Sequence, residues 1–178
     1  MGCDFMIMNE VDTMNDGSIE NRLRVENYDE RIDLLLEKPY WLVDSLPKQV
    51  PSQAQGQYFR VEEYFMKDAE WKRNLYARFA HLLLKLNCYE EITVRIGEQQ
   101  WQTNPDPASF VDMFLFGECG CRSIYVLLRN QDTLVLLNDE DAYMTLFNPD
   151  EALLELLRPL ALSEGLFVWK GNSAGEER

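Results

Sequence analysis

Residues 123–147 read SIYVLLRNQDTLVLLNDEDAYMTLF, and this stretch decides the fold. It divides into three β segments, Ser123 to Arg129, Thr133 to Asn138 and Tyr143 to Phe147, joined by the short polar connectors NQD and DEDA. Connectors that short join antiparallel neighbours, because a parallel pair needs a crossover of a dozen or more residues. The spacing therefore predicts an antiparallel meander. IYVLL and LVLL are continuously apolar, which predicts central strands covered on both faces.

Upstream of the meander, Asp106 is placed to cap a helix with Pro107 at its first position, and Gly117 to supply a left-handed stop after Phe116. Before that, Ile92 to Ile96, the pair Gly97-Glu98 and the run QQWQT read as a hairpin whose two-residue II′ loop takes glycine first. The strongest helix starts at an Asp68 cap with Glu70 in its first turn. Trp71, Leu75, Phe79, Leu82, Leu83 and Leu86 form one stripe of 3.6-residue period, and Asn87 ends it. Tyr58, Val61 and Phe65 predict a shorter helix ending near Met66. Tyr40 to Leu46 predicts a strand bounded by Pro39 and by PKQVP. Residues 1–31 carry no period and read as a loosely held polar arm, with a turn at Asp16-Gly17-Ser18 and one short element around Ile19 to Val25.

Downstream, Asn148 as N-cap and Glu151 three residues on predict a capped helix with Leu153, Leu154, Leu157 and Leu160 buried, which Pro159 should kink or end early. Gly165 closes that segment before a last strand, LFVWK, and residues 171–178 form a polar tail. The sum is one α+β domain over residues 32–170, with a mostly antiparallel sheet of five to six strands and three main helices.

A chain of 178 residues, 46% hydrophobic and 12% aromatic, can bury a single core. Charge is the unusual property: 31 acidic against 17 basic residues give a net charge of −14. Such a surface repels phosphate backbones and anionic lipid, so direct nucleic-acid and membrane binding are not expected. No apolar run approaches the ~20 residues of a bilayer span. The N-terminus lacks the basic and apolar regions of a secretory signal, and Met6 stands where a myristoylation motif takes Ser or Thr. Four cysteines without such a signal suit reduced thiols and a cytoplasmic location.

Two of those cysteines, Cys119 and Cys121, flank Gly120 in GECGC. In an extended segment their sulfurs point to one side, as a strained disulfide, a zinc ligand pair or a nucleophile with its resolving thiol would need. The spacing argues against each. Structural zinc and thioredoxin-like sites use C-x-x-C, and zinc here would have to draw on Cys88, Cys3 and the single His81. Two buried apolar thiols at a helix-to-strand junction are the simpler reading.

His81 shares a helix face with Asn74, Arg78 and Lys85, a basic stripe suited to a phosphate or carboxylate with His81 as general base, or to plain solvation. There is no G-x-S-x-G elbow and no phosphate-binding glycine loop. Asp139, Glu140 and Asp141 lack the order of a calcium loop, and Asp150 with Glu151 is explained by capping. Tyr40-Trp41, Tyr58-Phe59, Tyr64-Phe65 and Trp101 are candidates for a binding surface, but most are expected in the core, and Trp101, between glutamines on an edge hairpin, is expected to be partly exposed.

With no catalytic constellation, no metal set and no cofactor motif, the expected function is a non-catalytic acidic binding or inhibitor-type protein. It would dock a basic surface of a protein partner through Asp139, Glu140, Asp141 and Trp101. The alternative is a thiol-dependent redox or metal-binding enzyme that uses Cys119 and Cys121 with His81.

Overall fold

The computed structural model describes residues 28–116, 123–128, 132–138 and 141–171. The protein is an α+β domain built on one antiparallel sheet. Its elements are α1 (28–36), β1 (Tyr40–Asp44), a 3₁₀ turn (Ser52–Ala54), α2 (Gln55–Met66), α3 (Ala69–Asn87), β2 (Ile92–Ile96) and β3 (Gln102–Thr103). There follow α4 (Pro107–Phe116), β4 (Ser123–Leu128), β5 (Thr133–Asn138), β6 (Tyr143–Phe147), α5 (Glu151–Ser163) and β7 (Phe167–Lys170). Among the described residues no helix is long and apolar enough to cross a membrane.

The strands lie in the order β3-β2-β4-β5-β6-β1-β7, and every neighbouring pair is antiparallel. The expected meander is β4-β5-β6. Seven strands replace the expected five to six; the QQWQT and LFVWK segments both pair, as the two-residue β3 and the four-residue β7 at the sheet edges. Five helices replace three. The additional first helix, α1, carries Tyr28, Ile32 and Leu35 at helical spacing, and all three are buried. The expected boundary between arm and domain, at residues 31 and 32, falls inside this helix.

One face of the sheet holds the main core. Val43, Val94, Val126, Val135, Met144 and Leu146 point from the strands into Leu75, Phe79, Leu82, Leu83 and Leu86 of α3, Phe110 of α4 and Leu153, Leu154 and Leu157 of α5. Burying such side chains stabilises by roughly 1.5–3 kcal/mol each. On the opposite face, α1 covers Leu127 and Leu134, with Trp101, Tyr125 and Phe147 at the margin. These are the two strands expected to be covered on both sides. The register continues that second face as a row running Trp169, Leu42, Thr145, Leu136, Tyr125, Arg95, each opposite the next and each half-buried.

Local chemistry sets the helix ends. Asp68 caps α3 as expected, accepting from the Glu70 and Trp71 backbone N–H groups at 2.9 and 3.2 Å. Asp106 caps α4 through Ser109 N at 3.0 Å. The cap of α5 is Asp150, which accepts from Leu153 N at 2.7 Å. It is not Asn148. That residue sits at a left-handed φ of 57° and ties two connections together, donating from Nδ2 to the Asp132 carbonyl at 2.8 Å and from its backbone N to the Pro39 carbonyl at 2.9 Å. Nor does Pro159 end α5, which continues to Ser163. Pro159 and Glu155, whose carbonyl loses its donor, both lie on the exposed side of the helix, so the missing bond falls where water is at hand. In the β2–β3 hairpin, Gln99 N donates to Ile96 O around Gly97 at φ 56°, as a tight glycine-first turn requires. The pair Val94–Gln102 places one extra residue on the return side, however, so the hairpin carries a bulge beyond its turn.

Candidate docking surface

Helix α2 is held to the rest of the domain along only part of its circumference. Met66 packs against the main core, and the Phe65 ring stacks on Trp71 of α3 with centroids 4.9 Å apart and planes at 17°. Its exposed positions mix polar side chains, Gln57, Arg60 and Glu63, with large apolar ones. Of the eight large hydrophobic side chains that are exposed among the described residues, four lie on α2: Phe59, Val61, Tyr64 and Phe65. Tyr64 is the most open, at 73% exposure, and Phe59 stands at 59%. Scattered single apolar residues need no explanation, whereas half of the exposed large hydrophobics falling on one helix is a concentration.

Beneath this helix lies an acidic cluster. Asp44, at the end of β1, is buried although it is charged. It stands opposite Tyr143 of β6, and its Oδ1 accepts from Leu46 N at 2.9 Å and from the Ser45 hydroxyl at 3.3 Å. Tyr58 of α2 donates its hydroxyl to Glu62 Oε1, one turn on, at 3.0 Å. Burial pushes the Asp44 carboxyl above the usual range, more than the hydrogen bonds from Leu46 and Ser45 lower it. Burial also raises Glu62, against the Tyr58 bond and with help from the charges of Asp141 and Asp44. The Tyr58 and Tyr143 hydroxyls are raised by burial first and by the surrounding carboxylates second. These groups thus hold negative charge at a disadvantage, and an incoming cation would relieve it.

Asp141 stands beside this cluster, fixed by Asn138 Nδ2 at 2.8 Å, while Tyr76 donates its hydroxyl to the Asn138 and Asp141 carbonyls at 3.3 and 3.4 Å. Among the described residues no three His, Cys, Asp or Glu side chains converge as a metal site.

Of the residues singled out from the sequence, Cys119, Cys121, Asp139 and Glu140 lie outside the described residues, as does the Gly117 stop. Trp101 is half-buried and packs on Tyr28, with ring centroids 4.8 Å apart, near the β3 edge. Asp141 precedes β6, so β2, β4 and β5 separate the two and they do not form one patch. The basic stripe of α3 is spoken for within the fold. Lys85 Nζ lies 2.5 Å from Glu164 Oε1 and His81 Nδ1 3.7 Å from Glu164 Oε2, while Arg78 Nε donates to the Glu164 carbonyl at 2.6 Å. The stripe meets the C-terminal, negative end of α5, the position that favours cations.

The α2 surface was legible in one respect that residue spacing alone passes over. Tyr58-Phe59 and Tyr64-Phe65 are adjacent aromatic doublets, and neighbours on a helix diverge by about 100°. Both rings of a doublet cannot enter one narrow core stripe, so Phe59 and Tyr64 turn outward instead of joining the core where most aromatics were expected. Comparison with protein-family models, with curated proteins and with solved structures finds no match to this chain.

Proposed function

We propose that the protein is a non-catalytic binding protein of the inhibitor type, which docks a basic surface of a protein partner from the cytoplasm. The observation that carries this reading is the group of exposed aromatic side chains on α2, Phe59, Tyr64 and Phe65, on the helix that also contributes Glu62 to an acidic pair with the buried Asp44. Aromatic side chains supply interface anchors, and carboxylates whose charge is disfavoured in the free protein gain from a Lys or Arg brought against them. The net charge of −14 supports steering toward such a partner and away from nucleic acid.

The test is a pull-down from lysate with the full chain as bait, followed by affinity measurement for each identified partner at about 0.05 M and about 0.5 M salt. Charge-steered docking should weaken by about tenfold or more over that range. A partner whose affinity does not change with salt would end this reading.

A further inference from the structure

At the other end of the open sheet face, away from α2, lies a cavity of about 570 Å³ lined by Asp29, Arg95, Gly97, Glu98, Ser123 and Tyr125. Its volume is in the range of small-molecule sites, roughly 300–1,000 Å³. Arg95 is its centre. The guanidinium lies over two aromatic rings at once, 4.8 Å from the Trp101 centroid and 5.0 Å from that of Tyr125, which faces Arg95 across β2 and β4. Stacking on two rings fixes the plane of the fork.

This stack is short of acceptors. Arg95 Nε and Trp101 Nε1 are both buried, and among the described residues neither has a hydrogen-bond partner. Buried donors without acceptors are rare and costly, and two in one stacked pair point to something that belongs there. Among the described residues the one acceptor Arg95 has is Asp29, whose Oδ1 takes a bond from Nη1 at 2.6 Å. Asp29 comes from the first turn of α1, and its side chain is 54% exposed. It is a carboxylate reaching into the cavity from outside, held by an ion pair of the solvent-exposed kind, which contributes little.

We infer that the cavity binds a small polar organic carboxylate, and that Asp29 occupies the position of the ligand's carboxylate when the cavity is empty of it. A planar carboxylate matches the guanidinium fork bidentately and brings acceptors to Arg95, whose Nε lacks one among the described residues. Ser123 and Tyr125 give the cavity polar walls for the rest of the ligand, and Glu98, exposed at the rim, selects against a second negative charge placed there. The site is independent of the docking surface on α2 and does not need it.

The indole N–H of Trp101, whose ring stacks on Arg95, reports on the site through that contact. In ¹⁵N-labelled full-length protein its resonance is identified by its loss in Trp101→Phe, and acetate, lactate and succinate are titrated in at constant ionic strength, with chloride and inorganic phosphate as references. The expected result is a saturable shift with at least one carboxylate, weakened about tenfold in Arg95→Lys, which keeps the charge but loses the fork. Asp29→Asn is the decisive variant. Removing the internal competitor should tighten binding by about two- to fivefold, a gain that damage to the fold cannot mimic. The inference is overturned if no carboxylate gives a saturable shift. It is equally overturned if chloride or phosphate gives the same shift and Asp29→Asn leaves it unchanged, which would mean an adventitious ion only.

Discussion

Arg78 of α3 forks onto the two carbonyls that close α5, donating from Nε to Glu164 at 2.6 Å and from Nη2 to Gly165. Gly165 itself stands at φ 66°, and a β-carbon there would lie 3.1 Å from Arg78 Nη2. Helix end, glycine and arginine form one joint between two helices that the sequence places far apart. Arg78→Ala should cost about 2 kcal/mol of unfolding free energy, since charged hydrogen bonds are worth more than neutral ones. Arg78→Lys should recover only part of it, because an ammonium cannot span both carbonyls. Urea denaturation of the three proteins checks the ranking; equal midpoints for all three would show that the joint is dispensable.

The buried carboxyl of Asp44 gives a pH signature. Its folded-state pKa is raised by burial, so its contribution to stability is best below the ordinary carboxylate pKa of ~3.9 and declines as pH rises through the raised folded value. Asp44→Asn keeps an oxygen to accept from Leu46 N and removes the charge. The variant should be more stable than the parent at neutral pH, on the order of 1 kcal/mol, and the two should converge near pH ~3. Thermal melts across pH read this out, and a neutral-pH penalty for the variant would contradict it.

Exposure and function separate at Tyr64 and Phe59. Because both rings stand in solvent, Tyr64→Ala and Phe59→Ala should change stability by no more than about 0.5 kcal/mol. If α2 is the docking surface, each should weaken partner binding by about 2 kcal/mol, the scale of an aromatic anchor. Calorimetry of unfolding and of binding on the same variants distinguishes the two effects. Unchanged binding would move the interface elsewhere.

At the end of β7 the chain passes directly over the Tyr40 ring. Gly171 N donates to the Tyr40 carbonyl at 3.0 Å, and a β-carbon on Gly171 would fall 1.9 Å from Tyr40 Cε2. Gly171→Ala must therefore push the ring or the strand aside, at a cost of about 1–3 kcal/mol. Combined with Tyr40→Ala the two costs should fall short of their sum, since removing the ring removes the clash. Strict additivity in a double-mutant cycle would refute the contact.

What the sequence revealed followed the range of the forces involved. The Asp68 cap, the stripe of α3 and the limits of β5 and β6 are set within a few residues, and each was legible. The α5 cap moved from Asn148 to Asp150 because Asn148 is committed to Pro39 and Asp132, partners far away in the chain. Helix α1 was missed because its three inward positions, Tyr28, Ile32 and Leu35, favour a helix only when Leu127 and Leu134 are there to cover them. The site residues fared similarly. Lys85 and His81 could be read as a basic stripe, but nothing local says that its counter-charge is Glu164. Arg95 drew no notice, since its meaning depends on Trp101, Tyr125 and Asp29 arriving from three other elements.

The position of β1 carries a consequence for how the protein is made. Trp41 pairs with Leu146 on one side and Lys170 on the other, so this early strand is inserted between two late ones. During synthesis, β2 through β6 can assemble as they emerge, whereas β1 waits for both its neighbours. At ~5–20 residues per second, the interval between residues 41 and 170 is roughly 6–26 s. Until β6 emerges the strand YWLVD has two bare edges, and until β7 follows it keeps one, the form most open to capture by a chaperone or by another chain.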